Sequence, residues 1–176
     1  MDIYFTIFEL IDMRSFTSMW FWIMLAVFWS MMSHYVLGVP YDLVQRASRK
    51  ATPEKLADIE VLVRINSDRL LFIGGTAGLI VTALATFILT TLALLGFLYG
   101  IEFSQALFLI AFPFSIIGLL SQQAARRIRI KNPRGEDLIQ SLRRHRLATQ
   151  IVGVISIFVT AFWGIFQAMS ANVLGG

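Results

Sequence analysis

Long uncharged apolar segments alternate with shorter polar connections along this chain. A helix needs about 20 mostly apolar residues to cross a bilayer, and four segments approach or exceed that length: residues 17–37, 70–99, 103–120 and 147–171. Each is apolar on all sides, without the period-two alternation of a membrane β-barrel. The pattern therefore predicts the all-α class, with an integral membrane four-helix bundle that forms a single domain over residues 1–176.

The connections carry helical signals of their own. The Thr-Pro-Glu sequence at residues 52–54 supplies a capping residue, a proline at the first helical position and an acid in the first turn. An apolar pattern continues from there without a breaker, which predicts one helix over residues 53–99. The third helix is expected to extend to about residue 130, and the fourth to begin at residue 136. The bundle should therefore project beyond the membrane at one end.

Two more helices are predicted outside the four apolar segments. Residues 2–13 place acidic and apolar side chains on different helical faces, as in a short amphipathic helix at the membrane interface. Gly38, Val39 and Pro40 end the first apolar segment, and a helical periodicity resumes over residues 41–50. The first connection is therefore expected to be helical rather than irregular.

The basic residues are distributed unevenly among the connections. Of the 15 Lys and Arg residues, 14 lie between the first and second apolar segments or between the third and fourth. The positive-inside rule places these connections in the cytoplasm and both termini in the opposite compartment. The inner side then carries 14 basic and 7 acidic residues, a net charge of +7. The basic composition therefore records orientation, and nucleic acid is not expected as a partner.

Composition narrows the chemistry that the chain can perform. Hydrophobic residues make up 57% of the chain and charged residues 15%, which argues against a water-soluble globule. With no cysteine and two histidines, the chain has no thiolate for an iron–sulfur cluster and few ligands for other metals. The four segments contain no Asp, Glu, Lys or Arg, the residues that proton relays and ion pathways use. No catalytic residue or metal site is predicted, and the chain is not expected to be an enzyme.

Basic residues cluster at the inner ends of the third and fourth helices. Such clusters next to a membrane segment attract anionic phospholipid head groups. The predicted lipid-binding residues are Arg126, Arg127, Arg129, Arg143, Arg144, His145 and Arg146. His34 lies near the same depth at the end of the first segment, where it suits an interfacial hydrogen bond. A haem or bacteriochlorophyll bound through His34 is the alternative, and no other cofactor is expected.

Small residues recur at every fourth position in two of the apolar segments. In lipid, such stripes let helix backbones approach each other closely. The predicted helix-packing residues are Gly74, Gly78, Thr82, Thr86 and Thr90 in the second segment, and Ser156, Thr160 and Gly164 in the fourth. The stripes could pack within this bundle or could form a face for another subunit, including a second copy of the chain.

The first apolar segment is bulky and aromatic rather than small. Trp20, Trp22, Phe28 and Trp29 are interpreted as a surface that fits against a neighbouring membrane protein. A helix that faces lipid alone could have the same composition, so both interpretations stay open at this point.

Four stretches of the sequence carry a family resemblance. They are FELIDMRSFTSMWFW (residues 8–22), SHYVLGVP (33–40), LYGIEFSQALFL (98–109) and VISIFVTAFWG (154–164). Together they resemble an uncharacterised family of small bacterial inner-membrane proteins, and the similarity covers most of the chain. Members are often labelled as a component of the Suf iron–sulfur assembly complex, yet this chain has no cysteine ligand and no ATP-binding loop. The resemblance implies the bacterial inner membrane, in which the positive-inside rule makes both termini periplasmic, and it supplies no catalytic residue.

These features together favour an accessory role. We expect a non-catalytic scaffolding or assembly subunit that packs against other integral membrane subunits of a larger respiratory or photosynthetic complex. The helix interiors are uncharged, and the link between the second and third segments has only three residues, 100–102. Neither favours a catalytic site. Two alternatives remain at the level of sequence: a small channel or facilitator for a neutral solute, and a haem or pigment carrier that uses His34.

Overall fold

Helices make up nearly all of the computed structural model, which describes Phe16, residues 19–49 and residues 52–174, with side chains to residue 170. The helices are α1 (Met19–His34), α2 (Tyr41–Arg49), α3 (Pro53–Thr76), α4 (Gly78–Ala93), α5 (Glu102–Lys131) and α6 (Gly135–Leu174). A π-helical turn, Leu94–Leu98, continues α4, and a hairpin of β1 (Tyr35–Val36) and β2 (Val39–Pro40) joins α1 to α2. The predicted all-α class is confirmed. The predicted interfacial helix over residues 2–13 lies outside the described residues.

Three helical segments are long and apolar enough to cross a membrane: Gly78–Leu98, Glu102–Lys131 and Gly135–Ser170. Helix α1 is also apolar but has 16 residues, about 24 Å at 1.5 Å per residue. The prediction that the first helix extends to residue 37 is wrong, because the chain leaves the helix after His34.

The hairpin replaces the last turn that the sequence predicted for α1. Val36 pairs with Val39 across a turn in which Leu37 (φ 50°) and Gly38 (φ 76°) both have positive φ, as a type I′ turn requires. Leu37 adopts this unfavourable conformation because its side chain is buried in the same core as Val36 and Val39. Burial of three apolar side chains therefore outweighs one more helical turn.

The helix predicted over residues 53–99 is present but interrupted. At Ala77 the backbone departs from helical values (φ −109°, ψ 4°), and α3 ends while α4 begins at Gly78. Helical hydrogen bonds continue on both sides, from the Ala77 N–H to the Ile73 carbonyl (3.0 Å) and from the Val81 N–H to the Ala77 carbonyl (2.8 Å). The interruption is therefore a kink, and it falls where nearby glycines weaken the helix.

Helices α5 and α6 form the longest antiparallel pair, joined by a tight turn. Asn132 (φ 44°) ends α5 in the left-handed conformation that commonly closes a helix. The carboxylate of Glu60, on α3, accepts a hydrogen bond from the Gly135 N–H (2.8 Å) and so satisfies an orphan donor at the start of α6. The turn and α3 are therefore fixed together.

The main core lies at one end of the molecule, which we call the basic end because residues 41–69 and 122–146 hold 14 of the 15 Lys and Arg residues. Side chains from the hairpin, α2, α3 and α6 meet there, with Val44, Val63 and Leu142 fully or almost fully buried. A smaller apolar cluster of Leu25, Trp29 and Ile117 joins α1 to α5.

Candidate lipid interface and its surroundings

A groove between α5 and α6 at the basic end gathers positive charge. Arg127, Lys131 and Arg144 line a cavity of about 250 Å³, together with His145 and apolar side chains such as Leu120. Among the described residues that line it, none is a carboxylate. We call these four polar residues and their apolar floor the basic groove. Three cations beside apolar surface match a phosphate head group with its acyl chains.

Three of the other four predicted lipid-binding arginines have partners elsewhere. Arg129 forms an ion pair with Asp68, and Arg143 donates a hydrogen bond to the Ser48 hydroxyl. The guanidinium of Arg146 lies over the Tyr41 ring, 3.6 Å from its centroid, as a cation–π contact. The structure therefore brings only Arg127, Arg144 and His145 of the predicted set into one groove. Arg126 is exposed and lies outside it.

Lys131 is a groove residue that the sequence prediction missed. It follows Arg127 by four positions and so shares its helical face. That spacing was visible in the sequence. Arg144, on α6 beyond the turn at residues 132–134, lines the same groove, and this proximity comes from the packing of α6 against α5.

His145 is buried beside the groove and is not one of its charges. Its Nε2 lies 3.3 Å from the Ser121 hydroxyl, and its carbonyl accepts a hydrogen bond from the Thr149 hydroxyl (3.1 Å). The side chain is 9% exposed and lies within Gly135–Ser170, one of the segments long and apolar enough to cross a membrane. The imidazole therefore takes part in buried hydrogen bonds rather than forming the cationic part of the groove.

His34 has a different environment. It is exposed at the end of α1, and its ring packs edge-on against Tyr35, with 5.5 Å between centroids. Across the described ranges, no group of three or more His, Asp or Glu side chains could hold a metal ion.

The two small-residue stripes have opposite environments. On α6, Thr160 is fully buried, the Ser156 hydroxyl donates to the Leu109 carbonyl (3.4 Å), and Gly164 lies against Phe16 and Trp22. This stripe packs within the chain. On α4, the threonines of the stripe are exposed, and a Cβ at Gly78 would meet nothing within 4 Å. The exposed threonines are Thr82, Thr86 and Thr90, while Gly74 contacts the Gln122 side chain.

The aromatic side chains of α1 mostly face inward, contrary to the predicted partner surface. Trp29 is buried against Gly153, Phe28 packs edge-on against Phe114 (5.7 Å), and the Trp22 indole donates to the Phe16 carbonyl (3.0 Å). These rings fill space between α1 and the longer helices. Of the four predicted residues, Trp20 alone is exposed.

A buried glutamine organises the end opposite the basic end. The Gln105 Oε1 accepts hydrogen bonds from the Trp163 indole (2.9 Å) and the Gln167 amide (2.6 Å). Its Nε2 donates to the Gly96 carbonyl in the π-helical turn (2.8 Å). One side chain therefore ties α5 to α6 and to the end of α4. The sequence signal for this network is the single glutamine in the apolar segment 103–120.

Comparisons with protein-family models, with curated proteins and with solved structures find no match for this chain. The family resemblance described above therefore stays a prediction.

Proposed function

We propose that this chain is a non-catalytic accessory or assembly subunit that packs against another integral membrane protein in a bacterial inner membrane. In this proposal α1 and the three longer apolar segments form a membrane four-helix bundle. The excess of basic residues at the basic end supports a cytoplasmic location for that end and a periplasmic location for both termini.

The single observation that carries the proposal is the exposure of α4. None of the 16 residues of α4 is buried, although the helix holds a stripe of small residues along one side. A lipid-facing helix gains most dispersion contact from large side chains, whereas small residues gain it from a second backbone at close range. The small residues of the α6 stripe pack closely against other parts of this chain, whereas those of the α4 stripe stay exposed. A helix of a partner subunit supplies the missing contact.

Purification in a mild detergent, followed by mass spectrometry, tests the proposal directly. We expect the full chain to co-purify with at least one other integral membrane protein in a stable ratio. A monomer that purifies without any partner would contradict the proposal. A stable assembly that contains only this chain would instead show that the α4 stripe pairs with a second copy.

Thr86→Phe should abolish that co-purification. A phenyl ring on the stripe holds two helix backbones apart, and the close contact between them is lost. Leu84→Phe is the matched control, because two residues turn the helix by about 200° and place this ring on the opposite side. Both positions are exposed in the chain itself, so both variants should melt close to the wild-type temperature. Equal loss of the partner in both variants would count against the stripe.

The basic groove supports a second role, the binding of anionic phospholipid. Its cations are Arg127, Lys131 and Arg144, and no acid among the lining residues in the described ranges neutralises them. Each basic residue near an anionic membrane surface contributes about 1 kcal/mol of attraction. Lipid in this groove would hold the inner ends of α5 and α6 in the plane of the membrane.

Arg127→Gln combined with Arg144→Gln should weaken binding of anionic lipid by roughly 30-fold, from about 1 kcal/mol for each charge removed. Retention of cardiolipin during delipidation, followed by native mass spectrometry, measures the effect. Arg46→Gln combined with Arg134→Gln removes the same charge outside the groove and should leave retention nearly unchanged. If the two double variants lose cardiolipin equally, net charge rather than the groove determines binding.

A further inference from the structure

A second cavity, of about 420 Å³, lies on the other side of His145. The β-hairpin turn, the inner end of α1, and helices α3, α5 and α6 all contribute to its lining. We call it the hairpin cavity. Its size falls within the range of roughly 300–1,000 Å³ typical of small-molecule sites.

The lining of the hairpin cavity divides into an apolar wall and a polar end. Ile73 and Ile117 belong to the apolar wall. The polar end holds Arg69 and the Ser121–His145 pair, whose polar atoms lie 3.3 Å apart. The cavity therefore has the two-part character of an amphiphile, with one end suited to a head group and the rest to a chain.

The charge at the polar end is uncompensated. Arg69 forms no ion pair with any residue that the structure describes. The adjacent acid, Asp68, pairs with Arg129 and lines a different cavity. No carboxylate belongs to the part of the hairpin-cavity lining that the structure describes. A guanidinium in such surroundings favours an anionic partner, which it binds with charge-assisted hydrogen bonds.

The position of the polar end matches the level of lipid head groups. Arg69 is the last charged residue before the apolar segment 70–99, and His145 lies two positions before the segment that begins at residue 147. Both helices therefore change from charged to apolar at the hairpin cavity. The apolar wall continues from that level toward the hydrocarbon, since Ile73 lies one turn beyond Arg69 on α3.

We propose that the hairpin cavity binds one anionic membrane amphiphile. Its phosphate or carboxylate head contacts Arg69 and the Ser121–His145 pair, and its chain lies along Ile73 and Ile117. This site is separate from the basic groove, because His145 forms a wall between the two cavities. It depends neither on a partner subunit nor on lipid in the basic groove.

Native mass spectrometry of the full chain in mild detergent tests this proposal, with dioleoyl phosphatidylglycerol and oleate titrated separately. We expect one molecule of at least one of the two to bind more tightly than the rest. Tight binding of phosphatidylglycerol identifies a phospholipid, and preference for oleate identifies a fatty acid. If neither ligand shows a tight first site, the proposal is overturned.

Two variants locate the tight site. Arg69→Gln should raise its Kd by about tenfold or more, the usual consequence of losing a hydrogen bond to a charged group. Arg127→Gln, in the basic groove, should leave the Kd of this first site unchanged. The reverse order, with loss in Arg127→Gln and none in Arg69→Gln, would overturn the assignment.

The apolar wall is tested by filling it. Ile73→Trp should block the chain and remove the tight site, while Ile65→Trp, on the same helix but outside the cavity lining, should retain it. Both isoleucines are 51% exposed, so both variants should fold. Circular dichroism and the melting temperature check that they do. Unaltered tight binding in Ile73→Trp would place the ligand outside the hairpin cavity.

Discussion

Leu142→Ala is expected to lower the free energy of unfolding by about 2–5 kcal/mol, the usual cost of truncating a fully buried leucine. Leu142 has 0% exposed surface and lies in the core at the basic end, where the hairpin, α2 and α3 pack against α6. Truncation leaves a cavity that several elements border, and the hairpin cannot close it without losing its own pairing. Denaturant titration of the purified protein in detergent measures the loss.

Leu147→Ala is the matched control for this prediction. Leu147 lies on the same helix and is 58% exposed. Its truncation leaves no internal cavity, and we expect a change within about 0.5 kcal/mol. Equal destabilisation in the two variants would show that the hairpin, α2 and α3 do not form a core with α6.

Gln105→Leu should destabilise the opposite end by about 3–6 kcal/mol, since three groups lose their partners at about 1–2 kcal/mol each. The leucine is close in size, but the Gly96 carbonyl, the Trp163 indole N–H and the Gln167 amide would each lose a hydrogen bond. Gln105 is 3% exposed, so water has little access to replace it. The unfolding midpoint should shift, and so should the tryptophan emission, to which Trp163 is one of four contributors.

Gln123→Leu controls for the loss of a glutamine from α5. Gln123 is exposed on the part of the helix nearer the basic end, so its substitution should leave both measurements close to the wild type. Trp163→Phe removes one donor from the Gln105 network and should cost less than Gln105→Leu. If Gln105→Leu were neutral, its hydrogen bonds would not hold the π-helical turn against α5.

The hairpin shows why the local sequence pattern predicts the wrong end for helix α1. Residues 35–37 read as the last turn of an apolar helix, because each residue type there is compatible with a membrane segment. Their actual conformation depends on Leu142 and Val63, which are distant in sequence and supply the core that buries Val36. A positive φ at Leu37 becomes tolerable only with that burial. No periodicity over a short window contains this information.

The candidate sites show the same difference between what local sequence predicts and what tertiary packing adds. The sequence located the basic cluster and the small-residue stripes, because charge clustering and spacing are local properties. It could not distinguish Arg144, which faces the basic groove, from Arg143, which donates to Ser48 on α2. Neighbouring residues on a helix point about 100° apart, so the packing of α2 and α5 around α6 separates their roles.

Composition and hydrophobic periodicity are enough to predict the all-α class, the long apolar segments and the concentration of basic residues at one end. These follow from composition and from a hydrogen-bonding requirement that each helix satisfies alone. Packing between helices determines which faces are covered: the α6 stripe packs inward, the α4 stripe stays exposed, and His145 lines two cavities. Whether a helix face is covered depends on contacts between residues that are far apart in the chain. Each contact depends on both residues, so the local sequence around one of them does not predict it.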